Sequence, residues 1–544
     1  MKRALGVTGL FTALTVAMAY PWSVHLSSQV LADLPDIHLY IWNLAWDAHA
    51  FLHQPLSIFD ANIYYPNPNT LAYSENLIGT ALTVAPLLWA GVDPVLAMNL
   101  AAMMTCLLCG LGTYLLARRV GVSSAAAILA GIVFAFAPPR FMRMGQIHIT
   151  AVQWIPFSLA YLHSYFDGGR PRDLRLAIAF LTLQALTGGH GAVFLLVSIV
   201  VLLAFKLASG EPPAVARRIR DIGWTGALLT VPAFLMFLPY RRAQQEVGLV
   251  RALDDWMPAP DSFLASPSHL HQWAIALFST KHYNDSANAW LFPGILPLIF
   301  AVVAVVSLRG APRLRQSYVL LYLLIALISF DMFLAPPFGL WPHLYWLPGF
   351  NFIRVPSRFI ILTMLALAVL TGLGFDSITS RFRPVLRTAS AMVVGVLLLG
   401  EFATQPFKGV PYALDTPAID RWLNTLPKPF AIAEVPVPSP GEIGAFERQQ
   451  TMAMLHSMAH WQKTVHGYSG LRPRLHWRVL VELTAFPDEP SLRSLRELKI
   501  RYVVVHTDRY PPGKWEDVQA RLDHYDGVRL LHTEGAGRVY EIVQ

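Results

Sequence analysis

The sequence predicts a mainly α-helical, polytopic membrane protein that ends in a small α/β domain, and three observations predict it. Hydrophobic residues make up 54% of the 544 positions, only 14% are charged, and the mean hydropathy is +0.44. Soluble domains carry about 25% charged residues. The apolar residues come in blocks of about 17–22, the length a helix needs to cross the hydrocarbon of a bilayer. Beyond residue 404 those blocks stop and charged residues become frequent.

The first block, Ala4 to Tyr20, follows Lys2-Arg3 and reads as an uncleaved first span. From Ala4 through Ala117 there is no lysine or arginine, whereas Asp33, Asp36, Asp47, Asp60, Glu75 and Asp93 are present. Acids without bases mark the non-cytoplasmic side, so residues 22–93 form a first external loop. Within it, 39–53 is expected as an amphipathic helix on the surface and 77–91 as an interfacial helix.

Ten further spans follow at 94–117, 123–137, 149–166, 174–187, 190–207, 222–239, 290–308, 316–334, 357–375 and 387–404. Every inward end carries bases: Arg118-Arg119; Arg170, Arg172 and Arg175; Lys206 with Arg217, Arg218 and Arg220; Arg309, Arg313 and Arg315; Arg381, Arg383 and Arg387. About eleven crossings put the amino terminus in the cytoplasm and residues 405–544 outside it, in the inner (plasma) membrane. Residues 1–404 are then one membrane domain with a second large external loop at 240–289.

The tail begins with the helix "TPAIDRWLNTL". Short β-rich runs follow, "FAIAEVPVP", "IRYVVVH" and "GRVYEIV", and a helix "PSLRSLRELK" feeds the second of them.

The +8 formal charge does not point to nucleic acid, because the bases sit between apolar blocks. The only cysteines, Cys106 and Cys109, lie inside a span and read as packing residues. Among His25, His38, His49 and His53 only His49 and His53 have helical ligand spacing. No cofactor is required, although His25, His38, His49 and His53 beside the acids leave a divalent metal open.

A carboxylate at an apolar boundary loses hydration, so its pKa rises and it can serve as a general base. Asp36 is the first candidate for such a base and Asp47 the second. External cations are scarce. Arg140 and Arg143 follow Pro138-Pro139, Arg241 and Arg242 follow the 222–239 block, and Arg354 and Arg358 precede a span that runs inward. Arginine reads phosphate bidentately and keeps its charge, which makes Arg354 and Arg358 the leading phosphate site. His148 in "GQIH" and His190 in "TGGHG" lie at outer span ends.

Several motifs then converge on one family. Asp36 precedes Trp42 and Trp46; Tyr64-Tyr65-Pro66 precedes "NTLAYSENL"; "FAFAPPRFMRMGQIH", "FNFIRVPSRF", "HGYSG" and "LKIRYVVVH" follow. With the acidic first loop and the external α/β tail, the chain resembles the GT-C superfamily of membrane glycosyltransferases. Protein O-mannosyltransferases and the lipid A aminoarabinose transferase belong to it. The narrower resemblance, over nearly the whole chain, is to uncharacterised bacterial GT-C-like integral membrane proteins. It implies an inverting transfer of a sugar from a polyprenyl-phosphate donor to an envelope glycan, lipid or protein acceptor on the outer face. It also adds Glu75 and Tyr468, which lie inside shared motifs, to the substrate-binding candidates. Two features depart from the pattern. Asp36 is flanked by Pro35 and Ile37 where better-known transferases have paired acids, and His466 stands where Asn precedes Gly-Tyr-Ser-Gly. The competing reading is a non-catalytic membrane protein, a transporter or an assembly partner in polysaccharide export. The near absence of ionisable residues inside the spans weighs against a transporter.

Overall fold

The computed structural model describes residues 2–31, 34–209, 212–247, 257–276, 290–334, 338–347, 350 and 353–543. Asp33 and two stretches of the second large loop (248–256 and 277–289) lie outside the described residues. The chain forms two compact units. One comprises Met1–Leu31, Asn99–Leu235 and Val250–Val410, the other Ala32–Met98, Met236–Leu249 and Pro411–Gln544.

Among the described residues, five helices are long and apolar enough to cross a membrane: Pro94–Arg119, Gly189–Ser209, Arg313–Asp331, Pro356–Thr379 and Pro384–Phe402. Lys2–Met18, Ser124–Phe136, Trp154–Gly168, Pro171–Thr187 and Ile295–Val306 fall on other expected spans and are shorter. The block at 222–239 is a correction. It is not one helix but the junction of Pro212–Leu229 and Val231–Val247. Pro232 has no N–H to continue the hydrogen-bond ladder there, and the chain restarts with proline inside a new first turn.

The first unit is built around Pro356–Thr379, the most deeply buried of the five long helices. Ser124–Phe136, Ile295–Val306 and Arg313–Asp331 pack on it. Bare backbone makes the closest approach. A Cβ on Gly374 would stand 2.0 Å from the Phe300 carbonyl oxygen, so only glycine lets these helices touch. Phe11 of the first helix is wedged in the same way, its ring lying where side chains on Gly110 and Gly131 would be.

Polar contacts gather the basic turns at one end of this unit. Asp376 accepts the Ser123 N–H at 3.4 Å and pairs with Arg315 at 3.9 Å. Asp167 accepts from the Tyr318 hydroxyl at 2.9 Å, and Asp221 from Tyr165 at 3.3 Å.

The second unit differs from expectation in its first helix. Leu34–His53 is enclosed on nearly every side, with Ile37, Tyr40, Ile41, Trp42, Leu44, Trp46 and Asp47 all buried. The expected surface helix is instead a core helix. Ile78–Trp89 and Ile443–His456 pack against it, and its polar positions turn inward as well.

Five strands complete this unit: β1 (Ala431–Val435), β2 (Lys463–Thr464), β3 (Tyr502–His506), β4 (Val528–Glu534) and β5 (Gly537–Ile542). Their order is β2-β1-β3-β5-β4, parallel from β2 to β3 and antiparallel beyond. Alternation divides the faces. Ala433, Val435, Val503 and Val505 meet the helices Arg474–Leu483, Glu489–Glu497 and Lys514–Leu522. Ile432, Tyr502, Val504 and Val539 meet Ala418–Leu423. The β2 edge is covered by the first loop. Thr464 N–H donates to the Asn62 carbonyl at 2.8 Å, and the Tyr64 and Tyr65 N–H groups donate to His466 and Thr464, each at 2.9 Å. Backbone pairing of this kind removes an exposed edge.

Candidate functional site

Asp36 lies in the first turn of Leu34–His53 and is half-buried. The Tyr468 hydroxyl donates to its Oδ1 at 3.0 Å, so the loop acid meets the "HGYSG" motif 432 positions later in the chain. Burial, and then the Asp36 charge, push the Tyr468 phenol above its ordinary range. It therefore stays protonated and continues to donate. The segment holding it is anchored from several sides. Tyr64 Oη shares a hydrogen bond with Ser469 at 3.1 Å, and the Gly467 N–H donates to Gln450 Oε1 at 3.2 Å. Gly467 is required there, because a Cβ would enter the Tyr64 ring. Two charges near Tyr468 escaped sequence reasoning, Glu447 and Arg472, which form an ion pair. Arg472 falls four positions beyond Tyr468, in "HGYSGLRPR", and that spacing was the only signal.

Asp47 is placed differently. It is fully buried, and neither carboxylate oxygen has a hydrogen-bond partner among the described residues. Burial raises its pKa well above the carboxylate range, so it is held as the neutral acid. Around it, Asn43 Nδ2 donates to the Glu75 carbonyl at 2.6 Å, and Asn76 Nδ2 donates to the Tyr240 hydroxyl at 2.9 Å. Glu75 is itself buried, and both acids act electrostatically on Tyr240. Arg241 and Arg242, the next two residues, are exposed.

In the first unit four of the sequence candidates converge. Arg358 Nη1 donates to His190 Nε2 at 2.8 Å, which leaves that imidazole neutral with its proton on Nδ1. The His148 and His190 rings stand edge to face, 6.0 Å apart. Burial first, then Arg358, His190 and Arg143, lower the His148 pKa well below the usual range. Arg143, nearly fully buried, also interacts electrostatically with Arg358. Two arginines and two neutral imidazoles thus form a cationic, donor-rich cluster, the composition that suits a phosphate. Arg354 is exposed. Arg140 is not with this group. Its guanidinium donates to the Ala135 carbonyl at 2.8 Å and lies against Phe134, Thr105 and Cys106, tying off a helix end inside the core.

The loop histidines do not gather around the acids. His25 contacts the Pro21 carbonyl, His38 contacts the Thr451 hydroxyl at 2.9 Å, and His49 lies between Trp461 and His53. Burial lowers His38 and His49 to about 4 each.

No family model and no curated protein matches the sequence. Comparison of folds does find relatives. The chain's fold is similar to those of solved glycosyl-transferring enzymes. The structure of arabinofuranosyltransferase AftD from Mycobacteria is similar over 100% of this chain, with a TM-score of 0.59 and 15% identity. This chain spans only 40% of that enzyme's length. The Archaeoglobus fulgidus oligosaccharyltransferase in its apo form is similar over 97% of this chain and 73% of its own, with a TM-score of 0.53 and 14% identity. The oligosaccharyltransferase AglB from the same organism, in complex with an inhibitory peptide and a dolichol-phosphate, gives 0.52 and 14% over 99% of this chain and 74% of its own. At these identities the likeness is one of fold.

Proposed function

We propose that this protein is a GT-C-type glycosyltransferase that moves a sugar from a polyprenyl-phosphate donor to an envelope glycan, lipid or protein acceptor, with inversion. The acceptor hydroxyl oxygen attacks the anomeric carbon as the bond from that carbon to the phosphate oxygen breaks. The hydroxyl proton passes to a carboxylate, and the lipid phosphate leaves as an anion that needs no proton. Such a reaction requires one base and one anion site.

The observation that carries the reading is the contrast between the two loop acids. Asp36 is partly accessible and held by the Tyr468 phenol at 3.0 Å, as a base presented to a hydroxyl must be. Asp47 is fully enclosed and burial favours its protonated form, which argues against it as the base. We assign the base to Asp36, its orientation to Tyr468, and recognition of the leaving phosphate to Arg358 with Arg143, His148 and His190.

The basic residues at the inward ends of the apolar blocks support an orientation with the amino terminus in the cytoplasm and residues 405–544 outside the plasma membrane. Single cysteines placed at Arg119 and at Gln544, labelled with an impermeant thiol reagent in intact cells, test it; labelling at residue 119 without labelling at 544 would reverse it.

The activity is tested with purified protein in liposomes, a panel of radiolabelled polyprenyl-phosphate sugars and envelope extract as acceptor. Asp36→Asn is expected to lose about 10²–10⁴-fold in turnover, the usual contribution of a general base, while remaining folded. Full turnover in that variant would remove the role assigned to Asp36.

A further inference from the structure

A second convergence of side chains lies in the α/β part of the second unit and uses none of the residues above. Glu434 is the fourth residue of β1 and His506 the last of β3. The strands are parallel, with Glu434 beside Val504, so Glu434 and His506 project from one face at the carboxyl ends of the two strands. Ligand sites in α/β sheets collect at such ends. His456 closes the helix Ile443–His456 over this face, and Asp420 comes from Ala418–Leu423, which packs on it through Ile419 and Leu423.

The donor atoms converge. His506 Nε2 lies 2.7 Å and His456 Nδ1 lies 3.1 Å from the same Glu434 Oε2, and Asp420 Oδ2 is 4.0 Å from His456 Nδ1. Glu434, His456 and Asp420 are buried to 1% exposure or less, and His506 to 6%. Two carboxylates in one dry pocket are costly unless a cation balances them. Neither Asp420 oxygen has a hydrogen-bond partner among the described residues, and neither does Glu434 Oε1. Three orphaned acceptors therefore surround two imidazole nitrogens.

We propose that Glu434, His456, His506 and Asp420 form a buried four-ligand site for a divalent transition metal of the zinc class. Four ligands at about 2.0–2.2 Å around a tetrahedral ion lie about 3.3 Å from one another. The observed separations of 2.7, 3.1 and 4.0 Å straddle that value; Glu434, His456 and His506 already lie with their ligand atoms within 4.8 Å of one another, and Asp420 would swing in to complete the shell. Two carboxylates balance a dication, and the two imidazoles bind as neutral donors, releasing to solvent any proton they share with Glu434. An outer layer is present as well. The Gln462 N–H donates to His460 Nδ1 at 2.9 Å, which leaves the His460 Nε2–H facing Asp420 Oδ1 at 4.0 Å. With four protein ligands and no exposed position, the site is structural. It fastens the ends of β1 and β3 to two helices, and it is filled as the domain folds.

Elemental analysis of the purified full-length protein tests the proposal, with about one equivalent of zinc per chain expected from a four-ligand structural site. Asp420→Asn and His506→Ala are expected to lose the metal and unfold at lower temperature. Chelator-treated protein given Co²⁺ should show the visible absorption of tetrahedral cobalt. Two results would overturn the assignment. One is a metal-free wild type whose melting temperature ignores chelator and whose cobalt form shows no such bands. The other is metal content unchanged by either substitution, which would mean binding elsewhere. A purely hydrogen-bonded cluster predicts the opposite sign for Asp420→Asn, a variant as stable as wild type or more so. If neither variant can be isolated folded, the chelator and cobalt measurements on the wild type decide alone.

Discussion

Asp47→Asn isolates the cost of one enclosed carboxyl group. In the folded chain Asp47 has no exposed surface and no partner among the described residues for either oxygen, and burial raises its pKa well above the carboxylate range. In the unfolded chain the same group ionises near pH 3.9. Below that pH both states hold the proton and the group is neutral in its effect. As pH rises past it, the unfolded chain releases a proton that the folded chain keeps, so stability falls until the folded pKa is reached. Each unit of difference between the two pKa values costs about 1.4 kcal/mol. Asparagine keeps the shape and cannot ionise. Its amide also supplies donors to a pocket where Asn43 Oδ1 has no partner among the described residues. The variant is expected to be about 1–3 kcal/mol more stable than wild type at neutral pH, the scale of an unsatisfied buried polar group. The gain should shrink toward pH 4. Thermal unfolding of both proteins in detergent across pH 4–8, followed by tryptophan fluorescence, measures it. A lower melting temperature for the variant at neutral pH, or a gain that does not depend on pH, would refute the argument. The same variant should keep sugar transfer within a few-fold, since an enclosed neutral acid is not the base.

Tyr468→Phe removes the hydrogen bond that holds Asp36 and should lower turnover about 10-fold, the worth of one bond to a charged group, with little change in acceptor KM; steady-state kinetics separates the two. Arg358→Gln should weaken donor binding, because its guanidinium is bonded to His190 beside His148. A rise in KM for the polyprenyl-phosphate sugar of about 10-fold or more is expected for one lost charge-assisted pair, and an unchanged donor KM would remove the phosphate role. Gly374→Ala places a methyl group 2.0 Å from the Phe300 carbonyl oxygen and should cost about 1–3 kcal/mol through forced separation of two helices. Yield and melting temperature of the detergent-purified variant report it.

The helices long and apolar enough to cross a membrane were legible because composition alone specifies them. Length and apolarity locate Pro94–Arg119, Gly189–Ser209 and Pro384–Phe402 to within a few residues. The burial of Leu34–His53 was not legible. Its polar residues Asp36, His38, Asn43, Asp47 and His49 read as a wet face, yet each finds an internal neighbour or an enclosed pocket that pattern cannot reveal. The break near Thr230 is invisible to hydropathy, which is blind to a missing N–H, although Pro232 marks it in the sequence.

The candidate sites divide along the same line. Asp36, Tyr468, His148, His190 and Arg358 were each named from local context, but their partnerships are tertiary: Asp36 with Tyr468, and Arg358 with His190. Arg140 and Arg143 looked equivalent in "PPRFMR", and only packing separates them, one on a helix end and the other beside Arg358. The cluster of Glu434, His456, His506 and Asp420 left no trace in the sequence, because its members come from two strands and two helices with no motif spacing. What brings them together is parallel pairing of β1 with β3, which sets Glu434 and His506 on one face at one end. "FAIAEV" and "IRYVVVH" form strands buried along their whole length, so the geometry of the cluster is set by hydrophobic burial on both faces of the sheet. A polar group carried into a core by such packing has to be neutralised, bonded or bound to a cation. Asp47 and Asp420 meet that demand in different surroundings: Asp47 is enclosed with no hydrogen-bond partner among the described residues, and burial favours its protonated form, whereas Asp420 stands beside two imidazoles and a second carboxylate that together make a ligand set.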